Sequence, residues 1–225
     1  MKKKSFISRC YNFIKLKIKA VCVKILSPIR RKKLKRKDFC IISNNCWAGD
    51  VYRLFNLPYG SPTAGLYFFA DEYIKFLSNL KHYLTLPIEQ ITFDQSKHQK
   101  ELIDNNHEKV LLARVDDVEI VMLHYHNWQE AKDKWERRAK RVNYDSLLIK
   151  FSRQNGCTDE HVEQFAQLNY KNKIFFDNKQ NSYPFGVYIR GYEKYDQIPD
   201  DISKYRKYVN IYKYVNEGKI ETKSN

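Results

Sequence analysis

The sequence has 225 residues, of which 43% are apolar and 15% aromatic, and this is enough to bury the core of one domain. Residues 1–37 hold 15 of the 41 Lys and Arg residues and no acidic residue, so the net charge of +15 lies in this N-terminal arm. The body is electrically balanced, and no nucleic-acid partner is expected. Five scattered cysteines without a C-x-x-C spacing argue against a disulfide framework or a zinc knuckle and favour a reducing cytoplasm.

The N-terminal arm has a basic amphipathic pattern. Lysines interrupt every apolar run, so no secretory signal is expected. Ten Phe, Ile, Leu and Val residues between Ser5 and Leu26 favour membrane insertion by about 3 to 6 kcal/mol, while three central lysines oppose it by about 8 to 10 kcal/mol. Apolar positions three and four apart predict a helix that ends at Ser27-Pro28: Phe6, Ile7, Cys10, Phe13, Ile14, Ile18, Val21, Cys22 and Ile25.

We therefore expect residues 1–38 to form an arm that lies on a membrane rather than crossing it. Residues 1–37 would contact anionic lipid, where each nearby Lys or Arg contributes about 1 kcal/mol, and the basic run 30–37 would extend that contact. The expected location is cytoplasmic and peripheral, on the inner face of the plasma membrane. The alternative is a solubilising or nucleic-acid-binding tail.

Residues 39–225 are expected to form a single α/β domain. The alternation of strands and helices predicts a mixed, mainly parallel sheet flanked by helices, with ligands bound beyond the carboxyl ends of the strands. Apolar runs predict strands over 39–42, 88–93, 110–115, 118–123, 146–151 and 173–176, and helical periodicity predicts helices over 69–84, 128–142 and 158–168.

A polar segment follows the first predicted strand directly: Ser43, Asn44, Asn45, Cys46 and Trp47. It contains no G-x-G-x-x-G pattern, so dinucleotide binding is not indicated. The asparagine side chains can bind an oxyanion or a sugar hydroxyl, and the thiol becomes a nucleophile if a histidine lowers its pKa. The alternative is a turn held by asparagine side chains, with a buried and inert cysteine.

A second loop, residues 59–65, contains two hydroxyl groups between glycines. Ser61 and Thr63, together with backbone amides, can hold a phosphate or an acyl oxygen. Proline and glycine also form turns without any ligand, and this alternative explains the loop equally well.

The histidines of His124-Tyr125-His126 end a predicted strand, and alternation places both on one face. Either is a candidate general base or partner of Cys46, with His124 the first choice, and Tyr125 is a candidate substrate contact. The alternative is one hydrogen-bonded and one exposed histidine. No spacing supplies a third ligand for zinc, so no metal site is predicted.

The predicted helix over residues 128–142 is rich in cations. Lys134, Arg137 and Arg141 follow one stripe and Arg138 the next, and arginine side chains suit the phosphates of a donor molecule. A solvated basic face is the alternative.

The chain resembles a bacterial family of unknown function found among exopolysaccharide and capsule biosynthesis proteins. The resemblance implies an α/β domain that acts in building or decorating cell-surface sugar. It covers most of residues 40–176 and is carried by Ser43-Asn44-Asn45-Cys46-Trp47, Tyr59-Gly60-Ser61-Pro62-Thr63, the run 71–77, His124-Tyr125, Glu130-Ala131, Lys134-Trp135-Glu136-Arg137-Arg138 and Arg141-Val142-Asn143.

The function favoured by these patterns is a transferase, first an O-acyltransferase, that modifies a glycan or its lipid-linked precursor. Acyl-CoA is a candidate donor, with its diphosphate held by Arg137 and Arg141. His124 would remove a proton while Asn44, Asn45 and Ser61 stabilise the oxyanion.

Two other classes of function remain open. One is a nucleotide-sugar-dependent glycosyl- or phosphotransferase, because Asp116-Asp117 is similar to the metal-binding acids of such enzymes, although two aspartates at a hairpin tip also suit a turn. The other is a non-catalytic protein that binds glycan or assembles with a membrane transferase.

Overall fold

The computed structural model describes residue 21 and residues 23–222, and it contains two β-sheets with helices around them. Four parallel strands form the larger sheet, in the spatial order β1 (Cys40–Ser43), β5 (Leu147–Ser152), β6 (Lys173–Asp177) and β7 (Gly186–Tyr188). Three antiparallel strands form the smaller sheet: β2 (Glu89–Ile91), β3 (Leu112–Val115) and β4 (Val118–Val121). The predicted fold class is confirmed, with the antiparallel part forming a sheet of its own.

Helices cover both faces of the larger sheet. The α-helices are α1 (Trp47–Phe55), α2 (Ala70–Ser78), α3 (Leu80–Thr85), α4 (Gln99–Asp104), α5 (Trp128–Ala139), α6 (Asp159–Gln167), α7 (Tyr205–Tyr208) and α8 (Ile211–Glu217). Ile41 packs into a cluster with Trp47 on one face, while Ile42 packs into a second cluster with Trp135 on the other. Burial on both faces explains why these strands are continuous apolar runs in the sequence.

The helical periodicity over residues 69–84 belongs to two helices instead of one. Asn79 interrupts it with φ −142° and ψ 50°, which lies outside the helical region. Helix α1 was not predicted, because its first turn overlaps the end of the polar segment and contains Gly49. The chain therefore enters a helix directly after Cys46.

The N-terminal helix includes residues 23–32 and continues past Ser27-Pro28, so the predicted end at this pair is wrong. Pro28 has no N–H for the carbonyl of Lys24, but Ser27 Oγ donates to that carbonyl at 3.3 Å and replaces the missing bond. None of the described helices has the length and apolar content needed to cross a bilayer. The apolar positions Phe6 to Ile18 lie outside the described residues.

Part of the basic run contacts the body of the protein. Arg30 donates to the carbonyl of Leu54 at 3.2 Å, and Arg31 donates to the carbonyl of Phe55 at 3.1 Å. These carbonyls end α1, where cations are favourable. Lys35 also forms an ion pair with Glu217 at 2.8 Å. The boundary at residue 38 stays a prediction, but Arg30 and Arg31 are not free for lipid.

Candidate functional site

A buried lysine organises the carboxyl ends of β1 and β5. Lys150 on β5 is fully buried, and its Nζ lies 2.5 Å from Asp201 Oδ2, 2.8 Å from Asn45 Oδ1 and 3.3 Å from Asn44 Oδ1. Burial lowers the pKa of Lys150, while the charge of Asp201 opposes this shift. The network therefore joins the polar segment to residue 201, far along the chain.

The side-chain amides of Asn44 and Asn45 already have partners. Asn44 Nδ2 donates to the carbonyl of Ser152 at 3.2 Å. Asn45 Nδ2 donates to Gln154 Oε1 at 2.5 Å and to both carboxylate oxygens of Asp201 at 3.1 Å. Their donors are therefore engaged within the network, and Asn45 lies at the edge of a cleft, so their oxyanion-binding role stays a prediction.

Four other predicted ligand-binding residues are buried instead: Ser43, Trp47, Ser61 and Thr63. Ser43 Oγ donates to the carbonyl of Asn45 at 2.6 Å. Thr63 Oγ1 lies 3.0 Å from Ser61 Oγ and accepts from the backbone N–H of Ser43 at 3.0 Å. Trp47 packs among aromatic rings of the core. In place of the predicted substrate contact, Ser61 and Thr63 fix the loop 59–65 against Ser43 of β1, and Trp47 is part of the core.

Two clefts meet above this network. The larger has a volume of about 690 Å³ and the smaller about 400 Å³, and both are lined by Cys46, His124 and Ile202. Their sizes are those of small-molecule sites in proteins. A ligand in each cleft can thus approach the same two reactive side chains.

The smaller cleft has a basic wall formed by Arg53, Lys134 and Arg138. Arg138 is buried, and its guanidinium donates to the hydroxyl of Tyr125 at 2.9 Å. Arg53 is paired with Asp50 at 2.7 Å and Lys134 is paired with Glu130, but their side chains are 54% and 34% exposed, so both can still contact a ligand. The arrangement suits an anionic group such as a diphosphate.

The predicted phosphate-binding stripe is divided in the structure. Lys134 and Arg138 line the smaller cleft, whereas Arg137 and Arg141 line a separate, shallow depression formed by α5 and the residues that follow it. Arg53 supplies the third cation of the smaller cleft from α1. The role predicted for Arg137 and Arg141 is therefore not supported by the geometry, because neither lines a cleft with Cys46 or His124.

Cys46 and His124 differ in how the protein shifts the pKa of each side chain. Cys46 Sγ lies 3.6 Å from the carbonyl of Leu66, and burial raises the pKa of its thiol to about 11. The thiol is thus protonated at neutral pH and is not an activated nucleophile. Burial first and the charge of Arg53 second lower the pKa of His124, so its imidazole is neutral and can accept a proton.

The two histidines of the His-Tyr-His motif separate. Strand β4 ends at Val121, and the bond from Leu123 N to Val121 O at 3.0 Å turns the chain before the motif. The prediction that both histidines share one strand face is wrong. Both histidines are exposed, but His124 lines the two clefts and His126 lines neither.

Three residues of the site were missed in the sequence: Arg53, Lys150 and Asp201. Lys150 could have been found from the sequence, because it is a lone lysine inside an apolar strand. A lysine in such a position is rarely buried without a charged partner. Asp201 gave none, since its pairing depends on the path of the C-terminal segment. Arg53 lies on α1, a helix that was not predicted.

A separate cluster of Asp71, Glu72 and His98 brings three possible metal ligands within 4.8 Å of one another. Lys97 Nζ lies 3.0 Å from Glu72 Oε1, and His98 Nε2 lies 3.2 Å from the same oxygen. The side-chain charge of Lys97 thus already neutralises the buried carboxylate, and the cluster is an ion-pair network joining α2 to the segment before α4.

This network predicts a pH dependence of stability. Burial lowers the pKa of His98, but the hydrogen bond to Glu72 and nearby carboxylates outweigh it and raise the pKa above its ordinary value. The stabilising contribution is therefore complete below about pH 6.5 and is lost as the pH rises through the folded-state pKa. In urea unfolding experiments from pH 5.5 to 8.5, the free energy of unfolding should fall more steeply with pH for the natural chain than for His98→Gln. Parallel curves would contradict this.

The fold and the site define an α/β protein with two adjoining clefts beside a buried ion-pair network. A family model described as "Domain of unknown function (DUF1919)" matches residues 17–221, and the chain belongs to this family. The chain is also similar to an uncharacterized protein of Haemophilus influenzae strain Rd, with 31% identity over 171 residues that cover 76% of this chain and 77% of the relative. Membership in a family of unknown function, expected from the motifs, is confirmed.

Proposed function

We propose that the protein is a transferase of surface-polysaccharide biosynthesis, which binds a phosphorylated donor in the smaller cleft and a glycan or its lipid-linked precursor in the larger. The observation that carries this proposal is the meeting of the two clefts at His124. A neutral imidazole between two ligand-sized spaces suits proton transfer between bound molecules. The link to surface polysaccharide is supported by the sequence motifs alone.

The favoured donor is an acyl-CoA, and its diphosphate would contact Arg53 and Lys134. His124 accepts the proton of an acceptor hydroxyl as that oxygen bonds to the acyl carbon. The carbon–sulfur bond then breaks, and the leaving CoA thiolate takes the proton back from the imidazolium. This route needs no cysteine nucleophile, which agrees with the raised pKa of Cys46.

The competing reaction, metal-dependent transfer from a nucleotide sugar, has less support. Asp116 has φ 54° in the tight turn between β3 and β4, and Asp117 accepts from Tyr83 at 2.9 Å and pairs with Lys75 at 3.2 Å. Neither aspartate lines either cleft. A non-catalytic glycan-binding role uses the same larger cleft and differs only in lacking turnover.

The decisive assay mixes the full chain with labelled acetyl-CoA or a labelled nucleotide sugar and with saccharide acceptors, with and without EDTA. We expect acetyl transfer that EDTA leaves unchanged. Transfer from the nucleotide sugar that EDTA abolishes would instead establish the metal-dependent reaction. Binding of acceptor without any transfer would favour the non-catalytic role.

The proposed setting is the inner face of the plasma membrane. Val21, Ile25 and Ile29 follow one another at spacings of four and are 54%, 65% and 60% exposed. This exposed apolar stripe continues an arm that has no acidic residue before Asp38. Apolar burial and attraction to anionic lipid together suit peripheral attachment.

A vesicle flotation experiment tests this attachment. The full chain should float with phosphatidylglycerol-containing vesicles at low salt and much less with pure phosphatidylcholine. Ile29→Asp should weaken binding about tenfold or more, because burial of an isoleucine side chain is lost. Ile103→Asp is the matched control, since Ile103 is a similarly exposed isoleucine, at 52%, on α4. Equal flotation of Ile29→Asp and the natural chain would argue against the attachment.

A further inference from the structure

The larger cleft has a charge opposite to that of the chain. Within the part of the chain that the structure describes, its lining includes five carboxylates and no Lys or Arg, whereas the sequence carries a net charge of +15. The carboxylates are Glu101, Asp104, Asp196, Asp200 and Asp201. Lys150 neutralises Asp201 from below, so the other four give the cleft its negative field.

Three of these carboxylates are available to a ligand. Among the described residues, the side chains of Glu101, Asp104 and Asp196 have no hydrogen-bond or ion-pair partner, and all three are exposed. Asp200, in contrast, accepts from the backbone N–H of Ser203 at 3.0 Å. Free carboxylates on two separate segments of the lining can accept hydrogen bonds from hydroxyl or ammonium groups.

An exposed aromatic ring stands beside these acids. Tyr195 is 56% exposed and lines the cleft, and its ring is supported edge-on by Tyr192 at a centroid distance of 5.9 Å. Gln197 lies in the same wall and accepts from Gly156 N through Oε1, which leaves its Nε2 as a donor. An apolar ring face with acceptors and donors around it is the mixture that a sugar ring can use.

A metal ion explains this cleft less well than an organic ligand. In the described chain, the group of ligand atoms that converges within 4.8 Å is Asp71, Glu72 and His98, and none of these lines the larger cleft. The carboxylates of the cleft are thus spread along its walls. Their spread fits an extended ligand in a volume of about 690 Å³.

We propose that the larger cleft selects a saccharide that carries amino groups or no charge, and that it disfavours a saccharide with carboxylate groups. This inference rests on the proposed function and specifies its acceptor. Ammonium groups of the saccharide lie near Asp104 and Asp196, while a sugar face lies on Tyr195. A uronic acid residue in the same place is repelled by both aspartates.

Calorimetric titration of the full chain with three oligosaccharides of equal length tests the selection: glucosamine, N-acetylglucosamine and galacturonic acid tetramers. At low salt, the dissociation constant of the amino tetramer should be at least about fivefold lower than that of the N-acetylated tetramer. This difference should shrink at high salt. The acidic tetramer should bind most weakly.

Matched variants locate the binding. Tyr195→Ala should weaken the amino and N-acetylated tetramers alike, whereas Tyr144→Ala removes a 40% exposed tyrosine outside the cleft and should change nothing. Asp196→Asn should reduce the preference for the amino tetramer, and Glu163→Gln, on the exposed part of α6, should not.

Equal or tighter binding of the acidic tetramer would overturn the inference, as would the absence of binding by all three. Binding that Glu163→Gln reduces as much as Asp196→Asn would also overturn it, since this marks general attraction to the surface. Acetyl-CoA binding in the smaller cleft, measured in the same samples, tests the proposed function separately. Retained donor binding with no saccharide preference would therefore contradict only the acceptor assignment.

Discussion

Replacement of Lys150 by methionine is expected to lower the free energy of unfolding by about 3 to 5 kcal/mol, because it leaves the buried carboxylate of Asp201 without its cation. Both side chains are almost fully shielded from water, and their charged atoms lie 2.5 Å apart. Asp201 also accepts from Ser152 Oγ and Asn45 Nδ2, so its charge cannot move out without breaking the network. Urea unfolding followed by fluorescence measures the loss.

A double-mutant cycle separates this loss from a simple packing defect. Lys150→Met with Asp201→Leu should recover a large part of the stability, since the pair is then replaced by apolar groups. Lys75→Met is the control, because its ion pair with Asp117 is exposed and should contribute less than about 1 kcal/mol. A loss for Lys150→Met as small as that of Lys75→Met would contradict the role given to the pair.

His124→Gln is expected to lower the transfer rate by about 100- to 10,000-fold, the usual contribution of a general base. The amide keeps much of the size and polarity of the imidazole but cannot take up a proton. Because burial and Arg53 lower the pKa of His124, the natural protein should keep its activity down to a pH below about 6.5. Initial rates across pH check both expectations.

Two variants complete this comparison. His126→Gln should have a transfer rate close to that of the natural protein, because His126 lies two residues from His124 in sequence but lines neither cleft. Cys46→Ala should retain most of the activity if the acceptor hydroxyl attacks directly. Complete loss in Cys46→Ala with retention in His124→Gln would establish a covalent cysteine route instead.

The elements that the sequence predicted best are those with one strong periodic signal. The parallel strands β1, β5 and β6 were predicted from apolar runs, and α5 from its repeating stripe. Element ends were less certain, because Asn79 and the turn after Val121 have no distinctive residue such as proline or glycine. Strand β7 is three residues long, too short to give a pattern.

The sequence predicted some of the geometry of the candidate site, and its role as a site stays a prediction. The polar residues after β1 do lie at the carboxyl end of the sheet, beside one of the two predicted histidines. The contacts of these residues differ from the predicted ones, because they depend on burial and on partners that are distant in the sequence. Two of those partners, Lys150 and Asp201, are themselves 51 residues apart. Trp47, predicted as a substrate contact, begins helix α1 and is buried in the core.

The most direct test of the two-cleft account is calorimetric titration of the full chain with acetyl-CoA and with a nucleotide sugar. A donor with a diphosphate should bind in the smaller cleft, so Lys134→Gln and Arg53→Gln should each weaken its binding about tenfold. Arg141→Gln should not, because Arg141 lines a separate depression. This pattern is the result that the account predicts. No binding of either donor, or equal weakening by Arg141→Gln, would contradict it.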